Sequence, residues 1–375
     1  MAKLYFATNR NYEGDNRWNP KSYGKKFSSD GHYNLRFGEL ELDVDQAEVD
    51  KCLTKKFKGG RTGDGEKLTS YLTKRAKEAK ITAYQDATAD AKETIEFENN
   101  SSTLFFKNLK AGMEQNRDVL IYIHGYNVSW YDAVGTAKAL EYMLNRNTKD
   151  DDKKVMVVLF SWPSDGSMMP FAAYKSDRSD ARDSGQAIGR AILKLKDFLT
   201  QVHTNAEDEF MRPCLQQIHL LTHSMGNYVL QNSLKKIQGY SNTGGLPKIF
   251  ENIFLCAADV NDDCLEKGEP MEKVHQLANH ISVYFNKGDL AMYISDYTKG
   301  NRDRLGHSGA AKPGAIHNKI HQVSCSKIVR GLVEHSYYMW ATVNDDIQMT
   351  IHEVPFDDET RQRKRLANSR EWELF

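Results

Sequence analysis

Apolar residues in the second two-thirds of the chain fall into short continuous runs that alternate with helical patterns. The runs predict buried strands, and the segments between them repeat apolar residues every three or four positions, as one face of a helix does. Such alternation favours right-handed crossovers, and therefore an α/β fold with a mostly parallel central sheet and helices on both faces. The predicted strands are 118–127, 155–162, 217–223, 252–260, 280–285 and 321–324, and the main helices are 130–145, 185–202 and one after Gly226.

The first 117 residues show a different pattern, with less helix and more alternation at period two. Residues 3–7 and 33–43 predict strands, 9–26 predicts a loop, and 67–80 and 101–116 predict helices. We therefore expect extra N-terminal edge strands, antiparallel to the rest. The polar segment 174–184 predicts a lid or a connecting loop.

The same pattern indicates one domain over residues 1–345, in which 1–117 supplies edge strands and helices and 118–345 forms the core. Residues 346–375 read as a charged C-terminal extension. Its basic cluster 361–365 predicts a solvated helix or a frayed end, with an anionic partner as the alternative.

The stretch Thr222-His223-Ser224-Met225-Gly226 is the sharpest chemical signal in the chain. It joins a predicted strand to a predicted helix through a tight turn, which is the setting of a Gly-x-Ser-x-Gly nucleophile elbow. Small residues two before and two after the serine let the strand and helix pass closely. Gly226 meets that need, whereas Thr222 is larger than the usual glycine. The alternative for Ser224 is simple capping of the following helix.

A serine hydroxyl needs a base, and the base needs an orienting acid. Asp289 follows the second strand after Ser224, and His335 follows the short strand 321–324, so the order is serine, acid, histidine. Asp259, which ends the strand 252–260, is the alternative acid. His307, His317 and His321 compete with His335 as the base.

An oxyanion needs backbone N–H donors near the nucleophile. Position predicts Met225, directly after Ser224, and Tyr126, in the glycine turn after strand 118–127. Near these donors, His124, Trp162 and His223 are candidates to line the substrate pocket. The alternative for His124 is a structural hydrogen-bonding residue under the oxyanion turn. Tyr126 is a further pocket candidate, and packing alone would explain both Trp162 and Tyr126.

Composition narrows the function classes. The chain has 51 basic and 51 acidic residues, so its formal net charge gives no overall attraction to nucleic acid or anionic membranes. The five scattered cysteines lack Cys-x-x-Cys spacing, so neither a disulfide framework nor a metal site is predicted, and no cofactor is. No apolar run reaches the length of a membrane span, and no signal-peptide core is present at the N-terminus. We therefore expect a cytoplasmic enzyme.

Several motifs occur together in one order and resemble those of a bacterial α/β-hydrolase family long catalogued as a domain of unknown function. The shared segments are 7–10 (Ala-Thr-Asn-Arg), 123–127 (Ile-His-Gly-Tyr-Asn), 160–164 (Phe-Ser-Trp-Pro-Ser), 174–184, 220–227 (Leu-Leu-Thr-His-Ser-Met-Gly-Asn), 257–260, 286–290 and 304–306. The resemblance covers about residues 1 to 340 and implies an α/β-hydrolase fold with a serine triad. The family usually has alanine or glycine where this chain has Thr222.

These observations predict a serine hydrolase that cleaves a carboxylic ester or thioester, of a lipid or an acylated small molecule, through an acyl-enzyme. An amidase or peptidase on the same scaffold is one alternative. A non-catalytic binding or effector protein that keeps the fold is the other. The sequence does not distinguish their substrates or give the oligomeric state.

Overall fold

The computed structural model describes residues 1–57, 61–85, 101–149, 153–164, 170–204, 216–240, 244–292, 303–329, 334–366 and 370–375. At 170–173 and 201–204 the backbone alone is described. Cys214 lies outside these ranges.

The described residues form an 11-stranded sheet in the order β12-β13-β11-β10-β9-β8-β6-β7-β1-β4-β5, beside a separate hairpin of β2 and β3. All strands from β13 to β1 in this order run parallel, and antiparallel strands lie at the two edges. The strands are β1 Ala2–Thr8, β2 Arg10–Glu13, β3 Ser22–Phe27, β4 Arg36–Leu42, β5 Lys80–Ala83, β6 Arg117–Ile123, β7 Lys154–Ser161, β8 Ile218–His223, β9 Phe250–Cys256, β10 Ala278–Phe285, β11 Ile320–Ser324, β12 Arg363–Arg365 and β13 Glu371–Leu374.

Helices cover both faces of this sheet. They are α1 Gln46–Thr54, α2 Gly65–Ala76, α3 Ser101–Met113, α4 Trp130–Asn145, α5 Pro170–Thr204, α6 Gly226–Gly239, α7 Leu305–Ser308 and α8 Ala341–Ile351, with 3-10 turns at Glu272–Gln276 and Tyr337–Met339. None of the described helices combines the length and the apolar character needed to cross a membrane.

Successive residues of a strand point to opposite faces, so the central strands bury both sides. In β6, Val119 and Ile123 pack into a core with α3, α5 and α6, whereas Leu120 and Tyr122 pack into a second core with α2, α4 and α8. This arrangement confirms the predicted α/β class with helices on both faces. The antiparallel edge strands expected at the N-terminus are β4, which matches the predicted strand 33–43, and β5, which the sequence pattern does not predict. β1, the predicted strand 3–7, joins them to the parallel strands.

The predicted loop 9–26 is wrong, because it contains the antiparallel hairpin of β2 and β3. The hairpin is fixed by Arg10, whose side chain is buried although its sequence neighbours are polar. Arg10 donates from Nε to Ser161 Oγ (2.8 Å), from Nη1 to Gly24 O (3.0 Å) and from Nη2 to Val128 O (2.8 Å). A buried arginine with several acceptors therefore orders a segment whose composition is typical of loops.

The predicted lid or connecting loop at 174–184 is also wrong, because these residues belong to α5. Their buried side chains recur at helical spacing but are mostly polar: Tyr174, Asp177, Ala181 and Ser184. Polar groups are buried on this face because each finds a partner near the ends of the strands. An apolar periodicity search does not detect such a helix.

The C-terminal segment is part of the sheet, in contrast to the expected frayed or solvated end. The boundary expected at residue 345 falls inside α8, and β13 pairs in parallel with β11. Arg361 and Arg363 are buried and bond to the two carboxylate oxygens of Asp346 at 3.1 and 3.2 Å. The basic cluster therefore includes two internal charge partners of a buried carboxylate.

Candidate active site

The turn after β8 holds Ser224 in a left-handed backbone conformation, with φ of 52°. A non-glycine residue adopts such an angle only where its surroundings impose it. Here Ser224 N donates to Cys256 O (3.0 Å), and Asp259 N donates to Ser224 O (3.1 Å). The end of β9 therefore fixes both sides of the turn, and α6 begins two residues later.

Thr222 fits this turn in spite of its size. Its hydroxyl donates to Asn227 Oδ1 (2.7 Å), and Asn227 Nδ2 donates to the carbonyls of Thr222 and Ser224, both at 3.1 Å. The small residue on the other side is required by space, because a Cβ on Gly226 would lie 2.7 Å from the carbonyl oxygens of Ile123 and His124. The threonine hydroxyl thus adds a hydrogen bond that closes the turn.

Asp289 and His335 meet at the same edge of the sheet. Asp289 is fully buried after β10, and its Oδ2 lies 2.7 Å from His335 Nδ1. Its Oδ1 accepts from Ala291 N at 3.0 Å, so the carboxylate is held from two sides. In the neutral ring, a proton on Nδ1 leaves the Nε2 lone pair available to accept another.

His223 holds His335 near the turn of Ser224. Its Nε2 donates to His335 O (3.2 Å), and the two rings lie 4.8 Å apart. His223 directly precedes Ser224, so the loop that carries His335 is attached next to the serine. Among the hydrogen bonds of the described residues, none joins the Ser224 hydroxyl to His335. Burial, followed by the neighbouring His335, holds the pKa of His223 well below its usual range.

The other candidate histidines lie elsewhere. His307 Nδ1 contacts the hydroxyl of Ser308 at 3.1 Å. His317 stacks on His275 at 3.8 Å, and His321 is in β11 with its ring 4.0 Å from that of Phe356. Within the described ranges, no three His, Cys, Asp or Glu side chains are grouped as a metal site requires.

The turn that contains Tyr126 presses directly against the serine. A Cβ on Gly125 would lie 2.8 Å from Ser224 Cβ, so only glycine fits there without a shift. Within the part of the chain that the structure describes, neither the backbone N–H of Tyr126 nor that of Met225 donates to a protein acceptor. Met225 is fully buried and Tyr126 partly so. Buried backbone donors are seldom left without a partner.

Three side chains, those of Asp177, Ser164 and Arg10, brace this turn, and the sequence did not single them out as site residues. Asn127 N donates to Asp177 Oδ2 (3.3 Å), and Val128 N donates to Ser164 Oγ (3.2 Å). The Ser164 hydroxyl also donates to Asp177 Oδ2, and Arg10 holds the Val128 carbonyl. The detectable signal is the helical spacing of Tyr174, Asp177 and Ser184, which places polar residues on one face of α5.

His124 and Trp162 form the floor beneath the turn and do not line an open pocket. Both are fully buried, and their rings stack at 5.2 Å. Trp162 N donates to His124 Nε2 (3.2 Å), and Trp162 Nε1 donates to His124 O (2.9 Å). Burial, and then the charge of Arg10, lower the pKa of His124 to about 3. The pocket interpretation of these two residues is therefore wrong, because both side chains are buried and their polar atoms form hydrogen bonds inside the protein.

Asp259 has different partners from Asp289. Its Oδ2 accepts from the Tyr174 hydroxyl at 2.6 Å. Its Oδ1 is 3.6 Å from Arg304 Nε, and Oδ2 is 4.0 Å from Arg178 Nη1. The structure thus brings Asp289, and not Asp259, to His335.

A family comparison agrees with this architecture. Residues 98–343 match the family described as "Alpha/beta hydrolase of unknown function (DUF900)", so the chain belongs to that α/β-hydrolase family. Among curated protein sequences, none matches this chain.

The chain is also similar to solved structures of hydrolases at low identity. A hyperthermophilic esterase from the archaeon Pyrobaculum calidifontis is 10% identical over 63% of this chain and 76% of its own, with a TM-score of 0.32. A putative cell surface hydrolase from Lactobacillus plantarum is 12% identical over 66% of this chain and 96% of its own, with a TM-score of 0.33. We draw no conclusion about function from these likenesses.

Proposed function

We propose that the chain is a serine hydrolase that cleaves a carboxylic ester or thioester of a small molecule or lipid. Ser224 is the nucleophile, His335 the general base and Asp289 the orienting acid. The observation that carries the proposal is the 2.7 Å bond from His335 Nδ1 to the buried Asp289, on a loop attached next to the left-handed turn of Ser224. Family membership supports the hydrolase class.

In the first step, Ser224 Oγ attacks the carbonyl carbon and its proton passes to His335 Nε2. Asp289 accepts a hydrogen bond from Nδ1, so it selects the tautomer with a free Nε2 and stabilises the ring once it is charged. The contact between Ser224 and Nε2 forms when substrate binds, since catalytic hydrogen bonds are often absent in unliganded enzymes.

The negative charge that develops on the carbonyl oxygen is bound by the N–H groups of Tyr126 and Met225. Both N–H groups are free of protein acceptors in the described residues, and Gly125 lets their turn approach Ser224 closely. Donors that are already in place cost no reorganisation during the reaction. The leaving alcohol or thiol takes the proton from His335, and a water activated by the same ring then releases the acyl group.

A fluorophosphonate probe tests the nucleophile directly. We expect stoichiometric labelling at Ser224, no labelling of Ser224→Ala, and normal labelling of Ser29→Ala, an exposed serine on the loop after β3. An unlabelled native protein, with a control hydrolase labelled in parallel, would refute the proposal. Rates on matched p-nitrophenyl esters and anilides then separate an esterase from the amidase or peptidase alternative.

A further inference from the structure

Arg178 lies close to the proposed nucleophile and is not used by the mechanism described above. Its Nη1 is 4.0 Å from Asp259 Oδ2, and the backbone N–H of Asp259 donates to Ser224 O. The guanidinium also lies over the ring of Tyr228 at 3.5 Å, in the first turn of α6. Arg178 therefore extends from α5 towards the elbow.

The guanidinium is both accessible and held in place. About a quarter of the side chain is exposed (24%), so a ligand can reach it. Stacking on Tyr228 fixes the plane of the group before a ligand arrives, which lowers the entropy lost on binding. An arginine in this state presents its N–H groups in a fixed fork that matches a carboxylate or a phosphate.

Asp259 does not satisfy this arginine. One carboxylate oxygen accepts from the Tyr174 hydroxyl, and the other faces Arg304. At 4.0 Å, Arg178 attracts Asp259 without a hydrogen bond, and its Nη1 is a buried donor with no acceptor in the described part of the chain. A donor without a partner is costly, so an anionic ligand group that reaches the exposed part of this guanidinium gains a charge-assisted bond.

We propose that the site takes esters that carry a negatively charged group, a carboxylate or a phosphate, and that Arg178 binds that group. This inference rests on the proposed function of Ser224 and deepens it. The charge lies on the part of the substrate that occupies the α5 side of the elbow.

Two matched substrate pairs test the charge and its source. Mono-4-nitrophenyl succinate against 4-nitrophenyl butyrate places a carboxylate on the acyl side, and butyryl glycerol 3-phosphate against butyryl glycerol places a phosphate on the alcohol side. We expect the wild-type kcat/KM to favour the charged member of at least one pair by about tenfold to a hundredfold, mainly through KM, because a charge-assisted bond is gained.

The variants assign the preference to the residue. Arg178→Gln is expected to abolish the preference for charged over neutral esters in kcat/KM, and Arg178→Lys is expected to retain part of this preference. The matched control is Arg182→Gln, one turn further along α5, where the exposed side chain (58%) pairs with Asp183. This control should keep the wild-type ratio, and circular dichroism should show that each variant is folded.

The outcomes separate the two proposals. Turnover of the neutral esters without any charge preference, or a preference that survives in Arg178→Gln, would overturn the role of Arg178 and leave the serine hydrolase intact. Absence of turnover for every ester, together with absence of probe labelling, would instead contradict the proposed function.

Ligand binding can also be measured without turnover. Succinate or glycerol 3-phosphate should raise the Tm above that in sodium chloride of equal ionic strength, and Arg178→Gln should lose this shift. Equal Tm in all salts would contradict the inference.

Discussion

Asp259 and Asp289 follow neighbouring parallel strands, β9 and β10, and both are buried near the turn of Ser224. Their partners differ. Asp289 bonds to a partly exposed histidine, whereas Asp259 bonds to a tyrosine hydroxyl and faces two arginines. A carboxylate beside a base can orient that base, and a carboxylate between arginines balances charge. The comparison teaches that the strand-end position selects candidates, and the neighbouring side chains decide their roles.

The largest expected effect distinguishes the two acids by rate. Asp289→Asn should lower kcat by about a thousandfold to ten-thousandfold, because the amide favours the wrong tautomer of His335. Steady-state hydrolysis of a neutral ester measures this loss, with the fold checked by circular dichroism. A loss below about tenfold would mean that Asp289 is not the orienting acid.

The same substitution at the other acid, Asp259→Asn, should affect stability more than rate. Asp259→Asn removes the charge that faces Arg304 and Arg178, and breaking a buried ion pair costs about 3 kcal/mol. Urea unfolding should report this loss in the free energy of unfolding, while kcat on a neutral ester falls far less than in Asp289→Asn. If instead Asp259→Asn lost activity as Asp289→Asn does at unchanged stability, the two roles would have to be exchanged.

Part of the fold and of the candidate site could be predicted from the sequence. Strand order and apolar periodicity gave the parallel core, the elbow at Ser224 and both candidate acids. The helical segment 174–184 was missed because Tyr174 and Asp177 make its buried face polar, and the β2–β3 hairpin was missed because it is ordered by the buried Arg10. Both errors have one cause: burial there depends on hydrogen bonds to residues distant in sequence, and local periodicity does not contain such partners.

A smaller change isolates one hydrogen bond of the Asp259 cluster. Tyr174→Phe keeps the ring contact with Tyr126 and removes the 2.6 Å bond to Asp259. A bond to a charged group contributes about 1.5–3 kcal/mol, so the free energy of unfolding should fall by that amount. Tyr23→Phe, a buried tyrosine whose hydroxyl has no hydrogen-bond partner in the described residues, is the control and should cost less. Equal losses in both variants would show that the Asp259 bond adds nothing.

The mildest test concerns His124, the buried histidine beneath the turn, which contrasts with the partly exposed His335. The pKa of His124 is about 3 in the folded chain, and an unfolded histidine titrates near 6.5. The unfolded state therefore binds more protons below pH 6.5, so the stability present above that pH is lost as the pH falls towards 3. The expected slope is about 1 kcal/mol per pH unit. Urea unfolding at several pH values should show a flatter slope for His124→Gln than for the wild type, and identical slopes would contradict this assignment.

The left-handed backbone of Ser224 has a consequence for the thermal stability of the protein and for the capture of a bound substrate. A side chain at this φ costs about 1–2 kcal/mol relative to glycine, so the serine at position 224 lowers the stability of the fold. Ser224→Gly should therefore melt higher than Ser224→Ala, although both are inactive. Selection for thermal tolerance alone would favour replacement of Ser224 by glycine. The same glycine variant is suited to capturing an uncleaved substrate of the proposed hydrolase.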